Sequence, residues 1–119
     1  MIYKIRLDAL EFFGYHGVQQ HEKDFGQTFL VDCHLDVEAG SEDSIDSTVS
    51  YALVADELEK VATKQRFDLI ETLAQRCLAA VLDLDARILR ATITIHKPNA
   101  PLTQSFGDVS VSVSGARGD

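Results

Sequence analysis

A long run of strict alternation, residues 29–39, limits the fold more than any other part of the chain. Its apolar positions are Phe29, Val31, Cys33, Leu35, Val37 and Ala39. Every residue between them except Leu30 is polar. A period of two places one face of a strand on a core and the other face in polar surroundings, which is typical of antiparallel sheets. The run therefore predicts an antiparallel sheet with one polar face.

Three further segments alternate in the same way and predict three more strands: residues 3–12, 89–97 and 109–113. In the first of them the apolar parity slips by one residue between Leu7 and Leu10. A slip of one residue turns side chains to the other face of a sheet, so it predicts a bulge or kink near Asp8 and Ala9.

Between the second and third strands the apolar period changes to that of helices. The first predicted helix runs from Ser50 to residues 64–67, and the second carries a broad apolar stripe over residues 69–82. Asp68 is predicted to cap the second helix, because Glu71 three residues later completes a capping-box pattern. Two polar stretches, residues 18–26 and residues 40–47, are predicted to be loops.

The order strand, strand, helix, helix, strand, strand predicts an α+β fold, an antiparallel four-stranded sheet with two helices on one face. At 119 residues the chain is long enough for one core, and we expect a single domain over residues 1–119 with a frayed tail after residue 114. The polar sheet face meets solvent or lines a polar interior formed with other copies. Closing the sheet through several subunits would also cover its edge strands.

Composition argues against several classes of partner. Asp and Glu number 19 against 11 Lys and Arg, a net charge of −8, whereas nucleic acids and anionic membranes need a basic patch. No apolar run approaches the length of a membrane span, and the N-terminus lacks a signal pattern, so we expect a cytoplasmic protein. Cys33 and Cys77 fall in apolar register and are predicted to be small buried side chains.

Lys97 falls in the apolar register of the third predicted strand, just before Pro98 ends it. A lysine removed from water loses part of its preference for the charged form and becomes suited to proton transfer near neutral pH. The alternative is a lysine whose stem lies on apolar surface while its ammonium group reaches water. The strand alone leaves both interpretations open.

Four motifs, in this order and spacing, resemble the dihydroneopterin aldolase family over nearly the whole chain. They are Phe-Gly-Tyr-His-Gly at 13–17 with Glu22 and Phe-Gly-Gln at 25–27, Val-Ser-Tyr at 49–51, Leu-Ile-Glu-Thr-Leu-Ala at 69–74, and His-Lys-Pro-Asn-Ala-Pro at 96–101. The resemblance implies the family's tunnelling fold, in which sheets close into a barrel across subunits. It also implies a tetrameric ring, a homo-octamer of two rings, and active sites between neighbouring subunits.

The resemblance further implies a lyase of folate biosynthesis. This enzyme would cleave 7,8-dihydroneopterin by a retro-aldol reaction to 6-hydroxymethyl-7,8-dihydropterin and glycolaldehyde. It would need no metal and no cofactor, because the ring imine of the substrate accepts the electrons. Such a reaction requires a base for the side-chain hydroxyl proton and an acid for the resulting enamine carbon.

The resemblance also assigns roles to five residues. Lys97 and Tyr51, the latter from the adjacent subunit, would transfer protons. Glu71 would anchor the amino and ring N–H groups of the pterin, helped by backbone N–H groups around Ile70. Glu22 would contact the substrate side chain and help to set the protonation of Lys97. The loop at 102–108 receives no role.

Without the resemblance, three of these residues have ordinary interpretations. Tyr51 is an amphipathic residue entering a helix. Glu71 is a capping residue. Glu22 is one solvated carboxylate among many in an acidic chain.

Three other functions remain as alternatives. An epimerase of the same fold, acting on dihydroneopterin triphosphate, shares the retro-aldol step, although a triphosphate site would favour more arginines. A non-catalytic pterin-binding oligomer would need Glu71 but not Lys97. A metal enzyme would use Glu22 and the histidines, yet no pair has the His-x-His spacing. The candidate histidines are His16, His21, His34 and His96.

Overall fold

The computed structural model describes residues 1–119. Its elements, in chain order, are β1 (Ile2–Gly14), α1 (Gln20–Phe25), β2 (Gln27–Glu38), a short 3-10 helix (Ile45–Ser47), α2 (Tyr51–Lys64), α3 (Ile70–Leu84), β3 (Ile88–His96) and β4 (Ser110–Ala116). The four strands form one antiparallel sheet in the order β1-β2-β3-β4. The predicted α+β fold is therefore confirmed, whereas closure of the sheet across subunits stays a prediction.

The core lies between the apolar face of the sheet and the two long helices. The inward side chains of β2 are all buried, as the alternation predicts. Cys33 of β2 and Cys77 of α3 belong to this core, and burial raises the pKa of both thiols to about 12. They are therefore uncharged, buried side chains, as predicted. No helix combines the length and the hydrophobicity needed to cross a bilayer.

Two irregularities set the strand registers. The predicted bulge in β1 is present between Leu7 and Leu10, where Ala9 adopts a left-handed φ of 56°. A second irregularity, between β2 and β3, was not predicted. Ile88 pairs with Val37, so that Leu89 is left out of the register and is exposed. The predicted alternation over residues 89–97 would place Leu89 on the core face, and this part of the prediction was wrong because of the irregularity.

Three local predictions were also wrong. The polar stretch around Glu22 forms the short helix α1 rather than a loop. Leu69, not Asp68, is the N-cap of α3, because the Asp68 carboxylate instead forms an ion pair with Lys23. The tail is not frayed: Arg117 donates hydrogen bonds to main-chain oxygens at the end of α3, including that of Asp85 at 2.6 Å.

Candidate active site

Lys97 and Glu22 form a buried ion pair. Lys97 follows β3 in the apolar register and is 9 % exposed, and Glu22 in α1 is 3 % exposed. The Lys97 Nζ atom lies 2.7 Å from Glu22 Oε2. Burial of Lys97 agrees with its register, and the carboxylate compensates for the water that the ammonium group has lost. The snorkelling alternative, in which the ammonium group reaches bulk water, does not describe this side chain.

Three neighbours hold the Glu22 carboxylate in place. The Gln27 side chain donates from Nε2 to Oε2 at 2.8 Å, and the Gln19 N–H donates to Oε1 at 3.2 Å. Gly17 packs so closely that an added Cβ would lie 2.3 Å from Glu22 Cδ. Burial alone raises the pKa of Glu22, but the hydrogen bonds from Lys97, Gln27 and Gln19 outweigh it and leave this pKa below its usual value. The carboxylate is therefore ionised at neutral pH.

A second carboxylate, Glu71, faces the same pocket, which has a volume of about 310 Å³. The pocket lies between α1, the start of α3 and the segment that follows Lys97. Glu71 is exposed in the first turn of α3 and makes no hydrogen bond or ion pair within the chain. Ile70 lines the same pocket, and the first N–H groups of a helix have no acceptor within it. Glu71 is thus available to a ligand, and its interpretation as a capping residue was wrong.

His16 links the end of α2 to the segment that precedes α3. It is fully buried, and its Nε2 lies 2.8 Å from the carbonyl oxygen of Ala62 while its Nδ1 accepts a hydrogen bond from the Phe67 N–H at 3.2 Å. Burial lowers the pKa of His16 and the hydrogen bond to Ala62 raises it, while the charges of Lys97 and Arg66 lower it further. The net shift is downward, so the ring is neutral and carries its proton on Nε2.

The remaining histidines considered as metal ligands are dispersed. His34 pairs with Asp8 at 2.7 Å, and His96 lies on the polar face of the sheet between two aspartates. No group of three or more His, Cys, Asp or Glu side chains is arranged to hold a metal ion.

Tyr51 does not lie in the Lys97 pocket of its own chain. It begins α2, is 66 % exposed, and lines a separate, open depression together with the start of β1 and residues 39–49. The chain therefore brings together Lys97, Glu22, Ile70 and Glu71 but leaves Tyr51 apart.

Two residues that shape this site carry no specific signal in the sequence. Gln27 and Gly17 both contact the Glu22 carboxylate, although the sequence shows them only as members of the motifs at 13–17 and 25–27. A positive φ of 156° at Gly17 explains why glycine suits that position. Neither contact could be deduced from spacing, because each depends on the way α1 folds back over the end of β1.

A four-stranded antiparallel sheet with two helices on one face carries, in one pocket, a buried lysine–carboxylate pair and a free carboxylate, which are side-chain types that acid–base enzymes use. The family model for dihydroneopterin aldolase (FolB) matches residues 5–114. The chain therefore belongs to the dihydroneopterin aldolase family.

Individual relatives agree with this assignment. Dihydroneopterin aldolase from Streptomyces coelicolor A3(2) is 36 % identical over 117 residues, which cover 96 % of this chain and 98 % of that protein. The fold resembles a putative dihydroneopterin aldolase from Vibrio cholerae, with a TM-score of 0.87, 24 % identity and coverage of 97 % and 98 % of the two chains. It also resembles E. coli dihydroneopterin aldolase in complex with neopterin, with a TM-score of 0.82, 19 % identity and coverage of 96 % and 99 %.

Proposed function

We propose that this chain cleaves 7,8-dihydroneopterin by a retro-aldol reaction, giving 6-hydroxymethyl-7,8-dihydropterin and glycolaldehyde in folate biosynthesis. One observation carries the proposal: the buried Lys97–Glu22 pair and the free Glu71 face one pocket. Family membership and the neopterin complex of the E. coli relative support a pterin as the ligand.

The reaction needs one proton removed and one proton returned. A base takes the proton from the hydroxyl group on the second side-chain carbon of the substrate. The bond between the first and second carbons then breaks, glycolaldehyde leaves, and the electron pair enters the ring imine to form an enamine. An acid returns a proton to the first carbon. Lys97 and Glu22 lie 2.7 Å apart and line the same pocket, so the pair is placed to exchange protons with the substrate in both steps, with water as the carrier.

The free carboxylate at the start of α3 provides recognition. Glu71 accepts hydrogen bonds from the amino group and a ring N–H of the pterin, which present two donors side by side. Backbone N–H groups around Ile70 bind an acceptor on the same ring. This anchoring places the substrate side chain toward Lys97 and Glu22, because all of these residues line one pocket.

Tyr51 completes the proton-transfer groups in this proposal, from an adjacent subunit. Its exposure and its distance from the Lys97 pocket of its own chain support that arrangement. In a ring of four subunits, one subunit's Tyr51 would lie at its neighbour's Lys97, and two such rings would stack into an octamer.

The direct test is turnover in the presence of a chelator. The purified protein is incubated with 7,8-dihydroneopterin and EDTA, and both products are followed. Equal amounts of 6-hydroxymethyl-7,8-dihydropterin and glycolaldehyde are expected. Formation of a stereoisomer alone would identify an epimerase, and the triphosphate would then be the next substrate. A folded protein that changes nothing would contradict the proposal and favour a pterin-binding role.

A matched pair of lysine variants tests the role of Lys97. Lys97→Ala is expected to lose turnover while retaining much of its affinity for neopterin, because the pterin ring is anchored by Glu71. Lys64→Ala removes the same charge from the exposed end of α2 and is expected to behave as the unsubstituted protein. Equal turnover in both variants would contradict a catalytic role for Lys97.

A further inference from the structure

The polar face of the sheet carries an ion triad that the proposed reaction does not use. His96 lies between Asp32 of β2 and Asp108 of the segment that joins β3 to β4. Its Nε2 is 2.7 Å from Asp32 Oδ2, and its Nδ1 is 2.7 Å from Asp108 Oδ2. An ionised carboxylate only accepts hydrogen bonds, so both ring nitrogens donate and the ring is an imidazolium cation.

The triad connects three parts of the fold. The other oxygen of Asp32, Oδ1, accepts a hydrogen bond of 2.7 Å from the Ala9 N–H in the bulge of β1. Asp108 directly precedes Val109, whose carbonyl oxygen accepts the Lys97 N–H at 2.7 Å. Val109 also lines the Lys97 pocket. The triad therefore fixes the end of the segment that forms one wall of that pocket.

Hydrogen bonds from His96 to Asp32 and Asp108 raise the pKa of the ring above its usual value, against burial, which lowers it. Burial raises the pKa of Asp32, but the hydrogen bonds that it accepts from His96 and the Ala9 N–H outweigh this effect. The net result is a pKa below the usual value. Asp32 and His96 are thus ionised together from below the ordinary aspartate pKa to above the ordinary histidine pKa.

Few other charges face His96. On β2, His34 lies two residues from Asp32, and it is paired with Asp8 of β1 at 2.7 Å. The residue opposite His96 on β4 is Ser110, which carries no charge. The two aspartates of the triad are therefore the charged groups in direct contact with the ring.

We propose that Asp32, His96 and Asp108 are positioning residues, which hold the segment 98–109 in place as a wall of the pterin pocket, so that ligand affinity depends on a protonated His96. The identity of the ligand rests on the proposed function.

The direction of the pH dependence follows from the charge of His96 in the triad. Because the folded protein favours protonated His96, the wall is ordered at neutral and lower pH, and it loosens as the pH rises through the raised pKa of His96.

Asp108 offers a clean variant, because its side chain is 40 % exposed and lies outside the core. Asp108→Asn keeps the shape and removes the charge, and Asp108→Glu restores the carboxylate. Asp56→Asn removes the same charge from an exposed position of α2 that has no ion pair. Three quantities are measured for each protein: backbone hydrogen exchange over residues 97–109, neopterin affinity from about pH 6 to about pH 9, and kcat and KM for dihydroneopterin.

In Asp108→Asn, exchange over residues 97–109 is expected to be faster, and neopterin binding at neutral pH about three- to tenfold weaker. The alkaline loss of affinity moves to lower pH, and KM rises while kcat changes little. Asp108→Glu recovers most of this loss, and Asp56→Asn matches the unsubstituted protein.

Unchanged exchange, affinity and pH profile in Asp108→Asn would overturn the inference while leaving the proposed function intact. A fall in kcat with unchanged affinity would also overturn it. If the unsubstituted protein neither cleaves dihydroneopterin nor binds neopterin, the proposed function fails. The exchange comparison then decides separately whether the triad orders the segment.

Discussion

At the scale of single residues, the buried pair formed by Glu22 and Lys97 carries a desolvation cost. Each charge has left water, and removal of either partner would leave the other buried and uncompensated. Gln27 and the Gln19 N–H add hydrogen bonds to the carboxylate, so that its charge is distributed over several donors. Such a pair favours a defined protonation state more than it favours stability.

The effects of substituting Glu22 and Lys97 on the free energy of unfolding are not expected to add. Glu22→Gln, which leaves the Lys97 ammonium group without its counter-charge, is expected to lower the free energy of unfolding by about 3–5 kcal/mol. The doubly substituted protein Glu22→Gln/Lys97→Met lacks both charges and is expected to regain much of that loss. Urea denaturation of the single and double variants measures the difference. Losses that simply add would contradict a coupled buried pair.

Gly17 provides a second prediction at this scale. Gly17→Ala would place a methyl group 2.3 Å from Glu22 Cδ at a backbone φ of 156°. We expect the carboxylate to be displaced, with a loss of about 1–3 kcal/mol in unfolding free energy and a fall in kcat. Gly40→Ala is the matched control, since its nearest neighbour would be Ser47 Cβ at 3.4 Å. Unchanged thermal stability and turnover in Gly17→Ala would contradict this account.

At the scale of elements, local patterns predicted some features well and others poorly. The register of Lys97 on the apolar face and the bulge near Ala9 followed from side-chain parity, which is set within one strand, but parity alone left the burial of the Lys97 ammonium group open. The cap of α3 did not follow from its local pattern. The Asp68 carboxylate forms an ion pair with Lys23, a residue far away in sequence. Tertiary contacts therefore decided this helix start.

The missed helix α1 has a similar physical reason. Its six residues show no apolar stripe, so hydrophobic periodicity does not detect it. The available signal is the spacing of Gln19 and Glu22, where the Glu22 side chain accepts the Gln19 N–H as in a capping box. Glutamine is not among the preferred N-cap residues, which weakens this signal. The proximity of Glu22 to Lys97 could therefore be predicted only from the family resemblance.

Helix α3 gives a prediction that separates recognition from stability. The exposed Glu71 side chain makes no hydrogen bond or ion pair within the chain, so Glu71→Gln is expected to change the unfolding free energy by no more than about 0.5 kcal/mol. Neopterin affinity is expected to fall about ten- to a hundredfold, because hydrogen bonds to a charged acceptor are lost. Glu59→Gln on α2 is the control for charge. A destabilised Glu71→Gln with normal affinity would restore the capping interpretation.

At the scale of the whole molecule, one chain is elongated, with extents of 51 × 26 × 26 Å, and its edge strands β1 and β4 each have one side without a strand partner. Large apolar side chains are exposed at two places, near the start of α2 and near the Lys97 pocket. Tyr51, Leu53 and Ile45 lie near the start of α2, and Val18 and Leu69 lie near the Lys97 pocket. These surfaces suit contact with further copies of the chain.

Active sites shared between subunits can be tested by mixing two inactive variants. Lys97→Ala lacks the buried lysine, and Tyr51→Phe lacks the phenol hydroxyl group, so each alone is expected to have little turnover. If one subunit's Tyr51 acts at its neighbour's Lys97, oligomers refolded from an equal mixture contain some sites with both native residues. Random assembly gives such sites in about a quarter of cases, which sets the expected recovery of activity.

The control for this experiment is the mixture without refolding, in which subunits do not exchange and activity stays low. Recovery only after refolding would require that the two residues come from different chains, since no single chain in the mixture carries both. Absence of recovery in oligomers shown to contain both variants would mean that Tyr51 does not serve the Lys97 pocket of a neighbour. Because Tyr51 also lies outside the Lys97 pocket of its own chain, that result would remove it from the proton-transfer groups altogether.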